Sequence, residues 1–192
     1  MSTMATRGRT ARIPLDHPQT PFVRLMSAWS RRRYGAVLEP GLALLHNRRV
    51  LRTVVRLETG AERWSSLDTA LKDLATAAVS AQIGCSWCMD FGYYVSRNRG
   101  LDRAKLENLT DWRDFPGYSP LERNVLAYAE AMTATPPEVT DELVEALRTE
   151  LTDEQLVELT EMISLENLRS RTNSALGLTS QGFKDHCEVP SR

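Results

Sequence analysis

Cysteine is scarce in this 192-residue chain, which has only Cys85, Cys88 and Cys187. That is too few for the disulfide scaffold of a small secreted domain. Charge excess is also lacking. The 24 Lys and Arg nearly balance 25 Asp and Glu, for a net of −1, whereas a dedicated nucleic-acid binder would carry a basic surplus. No apolar run approaches the roughly 18 residues of a membrane span. The first twelve residues hold Arg7, Arg9 and Arg12 with no apolar segment, so no secretory signal is expected. These absences point to a cytoplasmic protein without a nucleic-acid or membrane partner.

Strand-type alternation is nearly missing as well, and helical periodicity takes its place. Residues 22–57 read as two or three short helices, broken near Gly35, at Pro40-Gly41 and around His46-Asn47. Leu67, Leu71, Leu74, Ala78 and Ala81 are spaced four, three, four and three, the stripe of one buried helix. Gly84 ends it, and a second helix runs from near Ser86 to Arg99, closed by Gly100 as a left-handed cap. Residues 103–109 predict a short helix, and 111–117 a Trp/Phe-containing loop lying on the surface.

Ser119-Pro120-Leu121-Glu122 combines an N-cap, a proline at N1 and a glutamate at N3. Thr140 caps another helix, and Thr152 with Gln155 caps a long one that ends at Gly177. The expected fold is all-α, with about seven to nine helices. Residues 1–14 read as a disordered lead-in, 15–178 as one helical domain, and 179–192 as a tail without pattern. A faint echo between 67–101 and 151–178, each an amphipathic helix with an acid (Asp73, Glu158) and a Gly-Leu end, points to internal duplication.

Against this background Cys85-Ser86-Trp87-Cys88 is the most informative feature. Two thiols two residues apart at a helix start form a short-loop disulfide and release it again. The positive end of the helix dipole stabilises a thiolate there. Three readings of the pair stand: a redox dithiol, two small core residues, or half of a zinc site. Zinc needs four ligands, and Cys187 beside His186 is the only evident second half. Nearby, Asp90 is read as a local base or as a helix-terminus partner. Trp87 and Phe91 are candidate lid or core aromatics, and Tyr93 and Tyr94 candidate hydrogen-bond donors. Glu166, Asn167 and Arg171 fall mid-helix, where buried polar groups need partners, and are read as structural hydrogen-bonding residues or as substrate contacts.

The stretch from Asp73 to Leu101 resembles the carboxymuconolactone decarboxylase-like superfamily, in its alkylhydroperoxidase AhpD-like branch. Ser80-Ala81, Gly84-Cys85, Cys88 and Arg97-Asn98-Arg99-Gly100-Leu101 fall in register with its signature. Leu126-Ala127-Tyr128-Ala129-Glu130-Ala131, Thr152 to Leu159 and Asn173 to Leu178 are similar to it too.

The resemblance implies an AhpD-like helical bundle that self-associates as a trimer, hexamer or dimer. Its activity would be that of a thiol-dependent antioxidant peroxidase or disulfide reductase. Cys88 would attack the peroxide, Cys85 would resolve, and Asp73 would occupy the position of the family's acid. An external dithiol would serve as reductant, and no bound cofactor or metal is called for. Two positions depart from the pattern: Asp73 stands where the family has glutamate, and Gly92 where it has a histidine. The remaining histidines, His17, His46 and His186, lie far away in sequence. Two other readings are a lyase of the decarboxylase type and a non-catalytic redox-sensing helical oligomer.

Overall fold

The computed structural model describes residues 11–187. Within them the chain forms nine α-helices and one short 3-10 helix, with no strand. The helices are α1 (Pro21–Tyr34), α2 (Glu39–Leu44), α3 (Arg48–Ala61), α4 (Thr69–Ile83) and α5 (Ser86–Asn98), followed by α6 (Arg103–Glu107), α7 (Pro120–Thr133), α8 (Asp141–Arg148) and α9 (Asp153–Ala175). The all-helical expectation is met.

Side-chain caps define the starts of most of these helices. Ser119 with Glu122 and Thr152 with Gln155 form complete capping boxes at α7 and α9, each cap worth about 1 kcal/mol. Asp68 accepts from the Ala70 N–H, so α4 starts two residues after Leu67. Gly35 closes α1 and Gly84 closes α4, both at positive φ.

α4 is the central helix and packs against α5, α7 and α9. A helix surrounded on three sides cannot keep a polar face over most of its length. Leu71, Leu74, Ala75, Ala78 and Val79 are accordingly all buried. They meet Val125, Leu126 and Ala129 of α7 and Leu159 and Ile163 of α9. Trp112 belongs to this core, with its indole N–H donating to Glu130 at 2.8 Å. The 111–117 loop therefore inserts an aromatic anchor instead of lying on the surface.

A second, smaller core positions the dithiol. It gathers Ala43, Cys85, Trp87, Cys88, Leu178 and Phe183, with Ile13, Leu15, Leu38 and Phe91 around them. Residues 11–15 and 176–183, which flank the helices in sequence, contribute to it. Arg12 N–H bonds the Leu176 carbonyl at 2.8 Å, and Phe183 is 1% exposed. Residues 179–187, read as a patternless tail, pack onto α5 because Phe183 fills this core. Residues 1–10 and the side chain of Cys187 lie outside the described part, as do the readings that fell on them.

Candidate active site

The α4–α5 hairpin turns at Gly84, whose φ of 74° is a left-handed conformation that disfavours a side chain. Ser80 O accepts both the Gly84 and the Cys85 N–H at 3.0 Å, closing α4. Cys85 is thereby left as the N-cap of α5. Its Sγ accepts the Cys88 N–H at 3.3 Å.

The two free thiols are 2.9 Å apart, Sγ to Sγ. A disulfide bond is about 2.05 Å, so only a small closure separates the dithiol from its oxidised form. Both residues are buried, Cys85 at 1% and Cys88 at 6% exposure. The thiols are nevertheless unlike. The hydrogen bond shared with the Cys88 thiol outweighs burial at Cys85. With the Cys88 N–H and the Ser174 and Ser170 hydroxyls, it brings the Cys85 thiol from 9.0 down to about 6. Cys88 moves upward, because of its hydrogen bond with Cys85, its burial, and the Glu166 carboxylate it faces.

Glu166, Ser170 and Asn173 come from α9 at spacings of four and three, which puts them on one helix face. Asn173 Nδ2 donates to Cys88 Sγ at 3.3 Å, and Ser170 Oγ donates to Glu166 Oε1 at 2.7 Å. Glu166 is 6% exposed. Burial pushes its pKa up, while Arg169 and Ser170 pull against that. Arg169 Nη1 reaches Glu166 Oε2 at 3.3 Å, and its other nitrogens bind Glu58 on α3, Nε to Oε1 at 2.9 Å. A buried carboxylate thus stands against the higher-pKa thiol, in the position of a proton acceptor.

From sequence Glu166 reads as a structural hydrogen-bonding residue or a substrate contact, not as a base. Ser170 and Asn173 were missed, although their register with Glu166 is readable. Asn167 and Arg171, flagged with it, turn toward α7 and bond Thr133 at 3.0 and 3.2 Å.

Asp73 is not brought to the thiols. It lies twelve residues before Cys85 on a straight α4, about 18 Å along the axis, beyond the reach of an aspartate. Its Oδ1 pairs with Arg99 Nη1 at 2.8 Å near the other end of the hairpin. Burial raises its pKa, against the attraction of Arg99. Asp90, read as a base or a helix-terminus partner, is an anchor. Its carboxylate accepts the backbone N–H groups of Gln181, Gly182, Phe183 and Lys184 at 2.7–3.1 Å. Burial alone would raise its pKa, yet the Lys184 and Phe183 donors, with Ser180 and Gly182, hold it below the ordinary value.

Trp87 stacks on Phe91 at 4.9 Å and donates to Gln181 at 2.8 Å, a core role. Tyr94 packs beside Phe91 and Phe183 in the small core. Tyr93 turns into the main core, under the Lys184 ammonium. The position of the missing histidine, Gly92, opens on a cleft of about 450 Å³ that it lines with Ala77, Ala81 and Met89, and a Cβ there would meet no atom within 4 Å.

Residues 48–131 match the carboxymuconolactone decarboxylase family. The chain is 33% identical to the uncharacterized protein YnjA of Escherichia coli K12 over 175 residues, covering 90% of this chain and 94% of that one. A protein of unknown function from Agrobacterium tumefaciens, described as a putative antioxidant defence protein AhpD, is 26% identical with a TM-score of 0.66. That match covers 70% of this chain and 92% of that one. The apo debrominase Bmp8 shares the fold, with a TM-score of 0.78 at 17% identity over 95% of this chain and 97% of that one.

Proposed function

The chain belongs to the carboxymuconolactone decarboxylase family, in its AhpD-like branch, and from that premise we propose that it is a dithiol oxidoreductase that reduces a peroxide through Cys85 and Cys88. The observation that carries this reading is the pair of free sulfurs 2.9 Å apart with Glu166 behind one of them.

The roles follow from the electrostatics. We assign Cys85 as the nucleophile, because its sulfur accepts the Cys88 N–H at a helix start and its pKa is lowered. It attacks the distal peroxide oxygen and the O–O bond breaks. The sulfur takes up that oxygen as a sulfenic acid, and the leaving alkoxide takes a proton to become an alcohol. Cys88 then gives its proton to Glu166 and attacks Cys85 sulfur. The S–O bond breaks, the proton on Glu166 goes to the departing hydroxide, and water leaves behind a disulfide. An external dithiol restores both thiols by exchange. This order reverses the one implied by resemblance, in which Cys88 attacks first.

Peroxide titration with mass spectrometry tests the reading. The wild type forms one Cys85–Cys88 disulfide per peroxide consumed, Cys88→Ser accumulates a sulfenic acid on Cys85, and Cys85→Ser stops peroxide consumption. Consumption surviving Cys85→Ser contradicts it.

We also propose that the protein works as a homo-oligomer. Phe22, Leu25 and Trp29 on α1 and Val50, Val55 and Leu57 on α3 are exposed apolar residues, Leu25 at 72%. Each of these helices offers apolar residues suited to contact with a second copy.

A further inference from the structure

Arg169 is bound on both sides by carboxylates, one at the dithiol and one on a different helix. Toward the site, its Nη1 meets Glu166 Oε2 at 3.3 Å. Away from it, Nε and Nη2 make a two-pronged pair with Glu58 of α3. A guanidinium has a planar fork suited to this bidentate arrangement and stays charged throughout. The two pairs differ in exposure. The Glu166 side chain is buried, whereas those of Glu58 and Arg169 are about one third exposed.

We propose that Arg169 and Glu58 are positioning residues that set the proton affinity of Glu166, and through it the reactivity of Cys88. This inference rests on the reading of Glu166 as the base for Cys88. The groups facing Glu166 are Arg169 and Ser170 on its own helix and Cys88 on α5, with Glu58 of α3 acting through Arg169. Arg169 is the only cation among these groups. Its charge favours the ionised form of Glu166 against burial, which on balance still raises the pKa, and Glu58 withdraws part of that charge toward α3. The base is thereby kept between two extremes. Without a cation its proton affinity would rise further and it would accept a proton only at higher pH. With an uncompensated one it would be too weak a base for a thiol.

The two partners of Arg169 therefore act in opposite directions, which a purely structural pair does not do. Arg169→Gln removes the cation, so Glu166 holds its proton to higher pH. Glu58→Gln frees the whole guanidinium for Glu166, so the carboxylate ionises at lower pH. The second effect is smaller, since it acts through one intervening group and Glu58 is partly solvated.

The experiment is the pH dependence of Cys88 alkylation by iodoacetamide, read peptide by peptide by mass spectrometry so that Cys85 is scored separately. The expected result is a rise of about one pH unit in the acid half-point for Arg169→Gln, in line with losing an opposite charge at close range. Glu58→Gln lowers the half-point, and Arg169→Lys, which keeps the charge, restores most of the wild-type value. Shifts of the same sign in Arg169→Gln and Glu58→Gln, or no shift in either, overturn the inference. Glu166→Gln separates the two levels. If it leaves the acid limb in place, Glu166 is not the base and the underlying reading fails. If it abolishes the limb while the Arg169 and Glu58 variants match the wild type, only the inference fails.

Discussion

Asp73 and Arg99 pair at 2.8 Å across the α4–α5 hairpin, at the end away from the dithiol. Asp73 is 5% exposed, and its second oxygen, Oδ2, is buried without a hydrogen-bond partner. An acid left half-satisfied in this way has a raised pKa from burial. For a raised pKa the linkage sign is fixed: the stability contribution is full below the unfolded value and falls as pH rises through the folded one. Asp73→Asn therefore gains stability relative to wild type as pH is raised from the ordinary aspartate range toward neutrality. Urea midpoints measured across that range test this, with alkylation rates of both thiols expected to stay unchanged. A lost peroxidase reaction in Asp73→Asn would return Asp73 to the site.

Asp90 behaves in the opposite sense, because its pKa is lowered. Its contribution is present above the unfolded value and disappears as pH falls through the folded one. At neutral pH the four backbone N–H groups of 181–184 are held fully. Asp90→Ala frees them at every pH, and Phe183 then loses its seat beside Trp87 and Phe91. The expected outcome is faster hydrogen exchange in 180–185 and easier alkylation of both thiols. Unchanged exchange would mean that Phe183 packing alone secures the segment.

Two glycines of the hairpin separate strain from space. At Gly84, φ is 74° and the surroundings are open. Gly84→Ala thus costs about 1–2 kcal/mol through the left-handed backbone alone. Gly92 is inside α5 at ordinary helical dihedrals, and a Cβ meets nothing within 4 Å. Gly92→Ala therefore stabilises by roughly 0.5–1 kcal/mol. Chemical denaturation of the two variants checks both signs.

Much of this fold was legible in the sequence, and the reasons are local. Capping boxes, the Gly84 break and the 67–81 stripe depend on residues a few positions apart, so pattern reading finds them. What failed depends on long-range packing. Trp112 and Phe183 sit in polar, turn-rich stretches, and nothing nearby in sequence shows that each fills a core. The candidate site divides in the same way. The dithiol is a four-residue motif, but its carboxylate partner lies 78 positions after Cys88, on a helix whose face is chosen by α4 and α5. Resemblance favoured Asp73, in the matching register, whereas the carboxylate that faces Cys88 is Glu166.

Self-association has a direct test on the apolar faces of α1 and α3. Leu25→Glu with Val55→Glu places charges where a second copy is proposed to sit, and light scattering after size exclusion is expected to show a monomer that keeps its helical circular dichroism. A wild type that is monomeric at micromolar concentration would rule the assembly out.

The most direct test of the central claim is the alkylation of Cys85 and Cys88, each followed separately against pH in the reduced protein. Cys85 is expected to titrate near 6, well below Cys88, whose reaction appears only at higher pH. Prior peroxide treatment should remove both reactions together by closing the disulfide. A Cys88 that titrates first would reverse the assigned roles, and two thiols unchanged by peroxide would contradict a dithiol enzyme altogether.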